Sequence, residues 1–272
     1  GITVKNVDVH VRDDIYVMPC GSSVGISLWC NGVLVVGLGN VDDGIRRRCP
    51  AHEAGIRTGD AIIAVNGEQV NGVGELSAMV KSAGDSMRLR VRRNGSEFDC
   101  TVYPCVKDGE VLLGAWVRES TAGIGTLTFY TMSSMRFGAL GHAVTDPDAG
   151  TMIEAKRGEL SEASIVGVTH GEQGFPGEVR GTFSAVSKRL GAIDRNTRYG
   201  VFGEMYAPLT SALYPEGVAL AYPDEVETGK ATLLTSLEDG VTTEYECEII
   251  KLFEQSTSDG KGMVVKVTDK RL

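Results

Sequence analysis

Two side chains that could take part in catalysis, those of His142 and Asp269, lie at the ends of strand-like runs in this sequence of 272 residues. His142 lies in the small-residue bend Leu140-Gly141-His142-Ala143, and Asp269 follows the apolar run from Met263 to Val267. Catalytic groups often sit where a rigid strand ends. An imidazole can take the proton of a hydroxyl nucleophile while a carboxylate holds its ring. From the residues alone, however, a histidine at a glycine turn is most simply a hydrogen-bonded structural residue.

Other polar residues near His142 have less chemical context. Asp146 could also orient the imidazole, but the run Thr145-Asp146-Pro147-Asp148 predicts a turn. His170 is predicted to be a loop residue. The sequence contains no Gly-x-Ser-x-Gly, and Ser133, Ser134 and Ser164 lack the glycine turn that would expose a nucleophile and form an oxyanion hole. The residues therefore identify a candidate base but no candidate nucleophile.

The overall composition excludes several classes of protein. With 36 acidic and 27 basic side chains the net charge is -9, which argues against a dedicated nucleic-acid binder. The longest apolar runs, such as Val33 to Val36, are far shorter than the roughly 18 residues of a membrane span. Gly1 to Val9 does not look like a signal peptide, so we expect a mature form from which a targeting segment or membrane anchor has been removed.

The six cysteines are irregularly spaced, and Cys100 and Cys105 have no second pair of ligands at a metal spacing. We predict no metal site and no cofactor. Buried free thiols are the favoured interpretation, with one disulfide left open.

The first part of the chain has the order strand, strand, short helix, strand, helix, strand. At its centre lies AGIRTGDAIIAVNG, in which glycine turns flank the apolar strand Ile62 to Val65. Leu76, Met79 and Val80 have the spacing of one buried helix face. This part resembles a PDZ domain over residues 19–106, preceded by an N-terminal arm at residues 1–18.

The PDZ resemblance implies that a peptide adds to a sheet edge and that backbone N-H groups bind its carboxylate. The matching loop is Ser23-Val24-Gly25-Ile26, and the groove would lie between the strand after Gly25 and the helix from Glu75 to Ala83. The alternative is that this unit packs against its neighbour and binds no free peptide.

Residues 107–272 contain short alternating runs punctuated by glycine, which predict a β-barrel or sandwich. Five motifs follow in order: AGIGTLTFY, GALGHAVTD, FPGEVRG, YGVFG and GMVVKVTD. Placed after a PDZ-like segment, they resemble the stage IV sporulation protein B family of serine peptidases. The resemblance implies a mainly β fold, with a PDZ domain followed by a trypsin-like double β-barrel peptidase domain.

The same resemblance implies a triad in the order His, Asp, Ser, with the histidine at His142 and the aspartate at Asp269. We expect the two side chains within hydrogen-bond reach, about 2.6 to 3.2 Å, or somewhat looser if the site is unformed. In the family the serine follows the aspartate in a glycine-rich turn, whereas this sequence stops at Leu272. We therefore expect a peptidase domain truncated before its nucleophile, and this chain to be inactive toward peptides.

The resemblance also implies a biological setting. It is that of an endopeptidase in the space between the two forespore membranes, which cleaves itself and a regulatory subunit of the pro-sigma-K processing complex. The PDZ domain would control substrate recognition or self-association. The alternative function is a catalytically inactive scaffold in which peptide binding by the PDZ domain is the activity.

Overall fold

The computed structural model describes residues 14–42, 44–172, 174–209, 213–253 and 262–272. Up to residue 112 the elements are β1 (Tyr16–Pro19), β2 (Ser23–Leu38), β3 (Val41–Asp42), β4 (Arg47–Arg48), α1 (Pro50–Glu53), β5 (Ala61–Val65), β6 (Glu68–Gln69), α2 (Val73–Ser82), β7 (Met87–Arg93), β8 (Ser96–Val102), β9 (Cys105–Lys107) and β10 (Glu110–Leu112). The elements that follow are β11 (Ala115–Tyr130), β12 (Arg136–Ala139), β13 (Ala155–Glu162), β14 (Ser164–Thr169), β15 (Glu178–Thr182), β16 (Arg189–Thr197), β17 (Gly200–Met205), β18 (Val218–Ala219), β19 (Gly229–Glu238), β20 (Val241–Leu252) and β21 (Met263–Val267). The predicted mainly β fold class is confirmed.

Six strands form a closed barrel, in the order β2, β11, β12, β17, β16, β13 and back to β2. Closure leaves each of these strands paired on both sides along part of its length, which removes exposed sheet edges. The interior is filled by apolar side chains with almost no exposure, among them Leu28, Leu127, Phe137, Leu160 and Val201. This closed barrel carries the bend that contains His142.

A second group of strands forms the PDZ-like unit. It consists of β5, β7 and β8, together with the C-terminal part of β2 from Val33 and the N-terminal part of β11 from Ala115. Helices α1 and α2 cover it. Its separate core includes Val33, Val35, Ile62, Leu89 and Val91.

Strands β2 and β11 belong to both units, so the pairing crosses the domain boundary predicted at residue 106. In the closed barrel Val24 lies opposite Gly125, and in the PDZ-like unit Leu38 lies opposite Ala115. β2 turns between the units at Gly32, whose φ of +100° suits glycine. A Cβ atom there would lie 2.5 Å from the carbonyl oxygen of Ile62.

The end of the predicted N-terminal arm is part of the sheet, because β1 pairs with β11 and with β18. The rest of that arm, residues 1–13, lies outside the described residues.

Two short two-stranded sheets pair β3 with β4 and β9 with β10. In the C-terminal part, β14 and β15 form a hairpin, and β19, β20 and β21 form a three-stranded sheet in that order. They do not close into a second barrel within the part of the chain that the structure describes. Across the described ranges, neither helix is long and apolar enough to span a membrane.

Candidate active site

The bend that carries His142 follows directly on β12 and is held by the neighbouring strand. Leu140 has a φ of +64°, a left-handed conformation that costs a non-glycine residue about 1–2 kcal/mol. Its N-H donates to the carbonyl of Thr126 at 2.9 Å, and the hydroxyl of Thr128 donates to its carbonyl at 3.3 Å. Strained backbone of this kind is characteristic of functional sites, where surrounding contacts fix it.

Two glycines let the backbone pack closely against this bend. Gly200 has a φ of +130°, and a Cβ atom on it would lie 2.4 Å from the carbonyl oxygen of Ala139. A Cβ atom on Gly125 would lie 2.6 Å from the side chain of Leu140. Glycine at these two positions therefore leaves the space that the bend before His142 occupies.

The imidazole of His142 is exposed, and its Nδ1 lies 2.9 Å from the carbonyl oxygen of Ala143. A carbonyl oxygen can only accept a hydrogen bond, so this contact favours the tautomer with the proton on Nδ1. Nε2 then carries a lone pair and can accept a proton. This is the form of the ring that a general base requires.

Asp269 follows β21 and is held by its own segment. Its carboxylate accepts from Arg271 through Nε at 3.0 Å, Nη2 at 2.7 Å and the backbone N-H at 2.9 Å. The backbone N-H of Glu246 donates to it at 3.2 Å. The Arg271 guanidinium first, and then these N-H groups, hold the pKa of Asp269 well below its usual range. The carboxylate is therefore ionised at neutral pH.

No hydrogen bond or ion pair joins His142 to Asp269, so the structure does not bring the two predicted triad members into the expected contact. The physical reason is that each group has another partner. The carbonyl of Ala143 occupies Nδ1 of His142, whereas Arg271 and the amide of Glu246 occupy the carboxylate of Asp269. Their catalytic roles stay predictions.

Asp146 acts as the predicted turn residue and does not contact the imidazole. Its side chain is fully buried, and Oδ1 accepts from the backbone N-H groups of Asp148 and Ala149, both at 2.9 Å. Its other oxygen is paired with Arg118. Both carboxylate oxygens thus support the turn that ends the bend.

Sequence reasoning missed Asn196, which fixes the chain two residues beyond His142. Its Oδ1 accepts from the N-H of Val144 at 2.9 Å, and its Nδ2 donates to the carbonyls of Val144 and Ile153 at 2.8 and 2.9 Å. Asn196 lies in β16 within a run of polar residues, and no spacing distinguishes it from its neighbours.

No hydroxyl group of the described residues hydrogen-bonds to the imidazole of His142. Ser134 is instead 2.6 Å from the hydroxyl of Thr131, and Ser164 pairs in the hairpin opposite Thr182. His170 is exposed, as expected of a loop residue. In the described ranges, no group of three or more histidine, cysteine or acidic side chains could hold a metal ion.

Two cavities of about 310 and 430 Å³ lie where one end of the closed barrel meets the hairpin of β19 and β20. Both are lined by Ser22, Leu209 and Gly240, and neither is lined by His142. They are therefore separate from the histidine bend.

The predicted peptide-binding residues Ser23, Val24, Gly25 and Ile26 require a correction. They lie in β2, where one edge pairs with β11 from Gly123 to Thr126. The other edge pairs with β13 from Val24 onward. Because both edges of this segment are used by the closed barrel, it offers no edge to a peptide, and the predicted groove beside it is wrong.

Helix α2 packs instead beside β5, β10 and β11. Leu76 and Val80 of the helix are buried in the cluster against which Ala115 and Val117 of β11 pack. From Ala115 to Ser120 one edge of β11 pairs with β2, and no strand in the described part of the chain pairs with the other. We call this free edge together with α2 the β11–α2 groove.

Comparison with known protein families identifies two kinds of domain in the chain. The model of the family described as SpoIVB peptidase S55 matches residues 109–272, which is more than half of the chain. The chain belongs to this family. A PDZ-domain model matches residues 41–93, so an N-terminal PDZ domain precedes a serine peptidase domain of the SpoIVB type. The resemblance drawn from the five motifs is confirmed.

A curated relative from Mesorhizobium japonicum, named "Putative zinc metalloprotease mll0638", is 32% identical over 76 residues. The matched segment is 28% of this chain and 21% of that protein. This chain thus spans about a fifth of the length of that relative.

Proposed function

We propose that this SpoIVB-type peptidase is a serine endopeptidase in which His142 is the general base. Asp269 is the group that orients its ring once the nucleophile-bearing turn is in place. The observation that carries the proposal is the state of His142 at the end of β12: an exposed ring whose Nδ1 faces a carbonyl and whose Nε2 is available. Family membership supports the reaction class.

For the triad to assemble, Asp269 has to exchange Arg271 for Nδ1 of His142. The lowered pKa of Asp269 suits that role, because an ionised carboxylate stabilises the imidazolium that forms when the base takes up a proton. The serine attacks the scissile carbonyl, and its proton passes to Nε2 of His142 and then to the leaving amine.

The test uses the protein expressed from the complete reading frame and a fluorescent serine-directed phosphonate. We expect labelling of the complete protein and its loss in His142→Ala, with His170→Ala as the matched control that keeps it. Asp269→Asn should slow labelling by several orders of magnitude, because the ring loses its orienting group. Undiminished labelling of His142→Ala contradicts the proposal, as does labelling of the 272-residue chain at any of its own serines.

We further propose the sporulation role that the family resemblance implies. It is cleavage of the protein itself and of a regulatory subunit of the pro-sigma-K processing complex, in the space between the forespore membranes. Incubation of the complete protein with that subunit, followed by mass spectrometry of the products, tests it. Cleavage that is lost in His142→Ala supports this role, and an intact subunit contradicts it.

A second candidate, a peptide-binding scaffold without catalysis, is favoured by the β11–α2 groove. A strand that adds to the free edge of β11 would lie beside α2. If the protein is such a scaffold, it should bind peptides, and Val117→Pro should abolish that binding because the proline ring disturbs the free edge of β11. The complete protein should then show no phosphonate labelling. Labelling that depends on His142 excludes this candidate.

A further inference from the structure

Two adjacent residues of β11, Arg118 and Glu119, contact two different parts of the molecule. Successive side chains of a strand point to opposite faces. Arg118 reaches the turn after His142, and Glu119 reaches the N-terminus of α2. The pairing with β2 is irregular at this point, because Arg118 lies opposite Leu34 whereas Ser120 lies opposite Trp29. Here β11 passes from the PDZ-like unit into the closed barrel.

Arg118 holds the end of the histidine bend through two carboxylates. Its Nη1 donates to Asp146, and its Nη2 donates to Asp148 at 2.7 Å. Asp146 is fully buried and lies four residues after His142. The stability of a buried, ionised carboxylate depends strongly on its charged partner. The position of this turn therefore depends on the position of the Arg118 guanidinium.

Glu119 ties the same point of β11 to α2. Its Oε2 accepts from the backbone N-H of Val73 at 2.5 Å. The N-cap residue of α2 is Gly72, which has no side chain to cap the helix, and a Cβ atom on it would lie only 2.7 Å from Oε2 of Glu119. The carboxylate thus replaces the missing cap and interacts favourably with the positive end of the helix.

We propose that Arg118 is a positioning residue for His142, and that the contact between Glu119 and α2 determines where Arg118 holds the histidine bend. The inference rests on the proposed function, in which His142 is the base. The contacts run from Val73 of α2 through Glu119 and Arg118 of β11 to Asp146, in the turn that follows His142.

The test reads the imidazole itself by two-dimensional NMR of the ring nitrogens in the 15N-labelled chain. The sequence has four histidines, and the His142 signals are identified by their loss in His142→Gln. We expect the wild type to show the tautomer with the proton on Nδ1. Arg118→Met should shift His142 toward the tautomer mixture of an unrestrained imidazole. Arg136→Met, which removes an arginine of similar exposure and its ion pair with the more exposed Asp194 in the same barrel, should leave it unchanged.

Glu119→Ala should shift the His142 signals in the same direction as Arg118→Met and add nothing further in the double variant. Arg118→Lys, which keeps the charge but lacks the planar guanidinium with its two separate Nη donors, should retain part of the wild-type state and serves if Arg118→Met does not fold. The proposal is overturned if Arg118→Met, or Arg118→Lys in its place, behaves like Arg136→Met. It is equally overturned if Glu119→Ala leaves the ring unchanged.

These outcomes are separable from those of the proposed function. Phosphonate labelling that survives His142→Ala refutes the role of His142 as base, whatever the ring spectra show. Labelling that is lost as expected, with ring signals that do not respond to Arg118 or Glu119, refutes only the coupling.

Discussion

Replacing Asn196 by alanine tests whether this side chain holds the histidine bend against β16. The change removes three hydrogen bonds, to the N-H and carbonyl of Val144 and to the carbonyl of Ile153. At about 1 kcal/mol each, and with water able to reach part of the half-buried site, the free energy of unfolding should fall by about 2–3 kcal/mol. With a urea dependence of about 3 kcal/mol per molar, the unfolding midpoint should fall by roughly 1 M.

The matched control is Asn40→Ala, because Asn40 is exposed and has no side-chain hydrogen bond among the described residues. Asn196→Asp is the sharper variant, since it keeps an acceptor for the N-H of Val144 but places a second oxygen against the two carbonyls. Relative to wild type it should destabilise more at pH 7, where it is ionised, than near pH 3.5. A midpoint for Asn196→Ala equal to that of Asn40→Ala would refute the reasoning.

Two further predictions concern the same barrel. In urea unfolding, Gly200→Ala should lower the free energy of unfolding by about 2 kcal/mol or more, because the φ of +130° and the carbonyl of Ala139 both oppose a Cβ atom. Gly123 has open space around it, so the control Gly123→Ala should change the free energy of unfolding by no more than about 0.5 kcal/mol. The Arg136 guanidinium lowers the pKa of Asp194, so their pair contributes stability above the unfolded pKa of about 3.9 and loses it as the pH falls through the folded pKa. Both side chains are more than a third exposed, so Arg136→Gln should lower the free energy of unfolding, measured in urea, by less than about 1 kcal/mol at pH 7 and by less still at pH 3. An equal loss at both pH values would contradict this.

The PDZ-like unit could be predicted from sequence because its signals are local. Gly55 and Gly59 have φ values of +85° and +92°, as expected of residues that end a helix and turn the chain. Asn66 and Gly67 both have positive φ and join β5 to β6, which is the hairpin signature of an Asn-Gly pair. Each of these conformations is determined by the residue at that position and its immediate neighbours.

The assignment of Ser23 to Ile26 failed because strand pairing is non-local. Val24 and Ile26 alternate with small residues in the same way whether they flank a peptide or line a barrel. Their partners, Gly125 on one side and Leu160 on the other, are more than a hundred residues away in the chain. Nothing in the local sequence distinguishes these partners from a bound peptide.

The expected contact of His142 with Asp269 depended on the resemblance, which identifies residue types but not their present hydrogen-bond partners. Arg271 lies two residues after Asp269, so a short-range ion pair forms without any rearrangement of the sheet. A contact with His142 would instead require β21 to approach the closed barrel. In this chain Asp269 therefore pairs with the nearby Arg271 and not with His142.

The shared strands β2 and β11 connect the PDZ-like unit directly to the closed barrel. Because both strands run through the PDZ-like unit and the closed barrel, a change in one unit acts on the other along a hydrogen-bonded ladder rather than across a flexible linker. The ladder is least regular where Arg118 and Ser120 lie opposite Leu34 and Trp29, so bending there costs fewer paired groups than elsewhere. Arg118, which is paired with the turn after His142, stands at this point. The proposed link from Glu119 through Arg118 to the histidine bend therefore runs through the part of β11 where its pairing with β2 is interrupted.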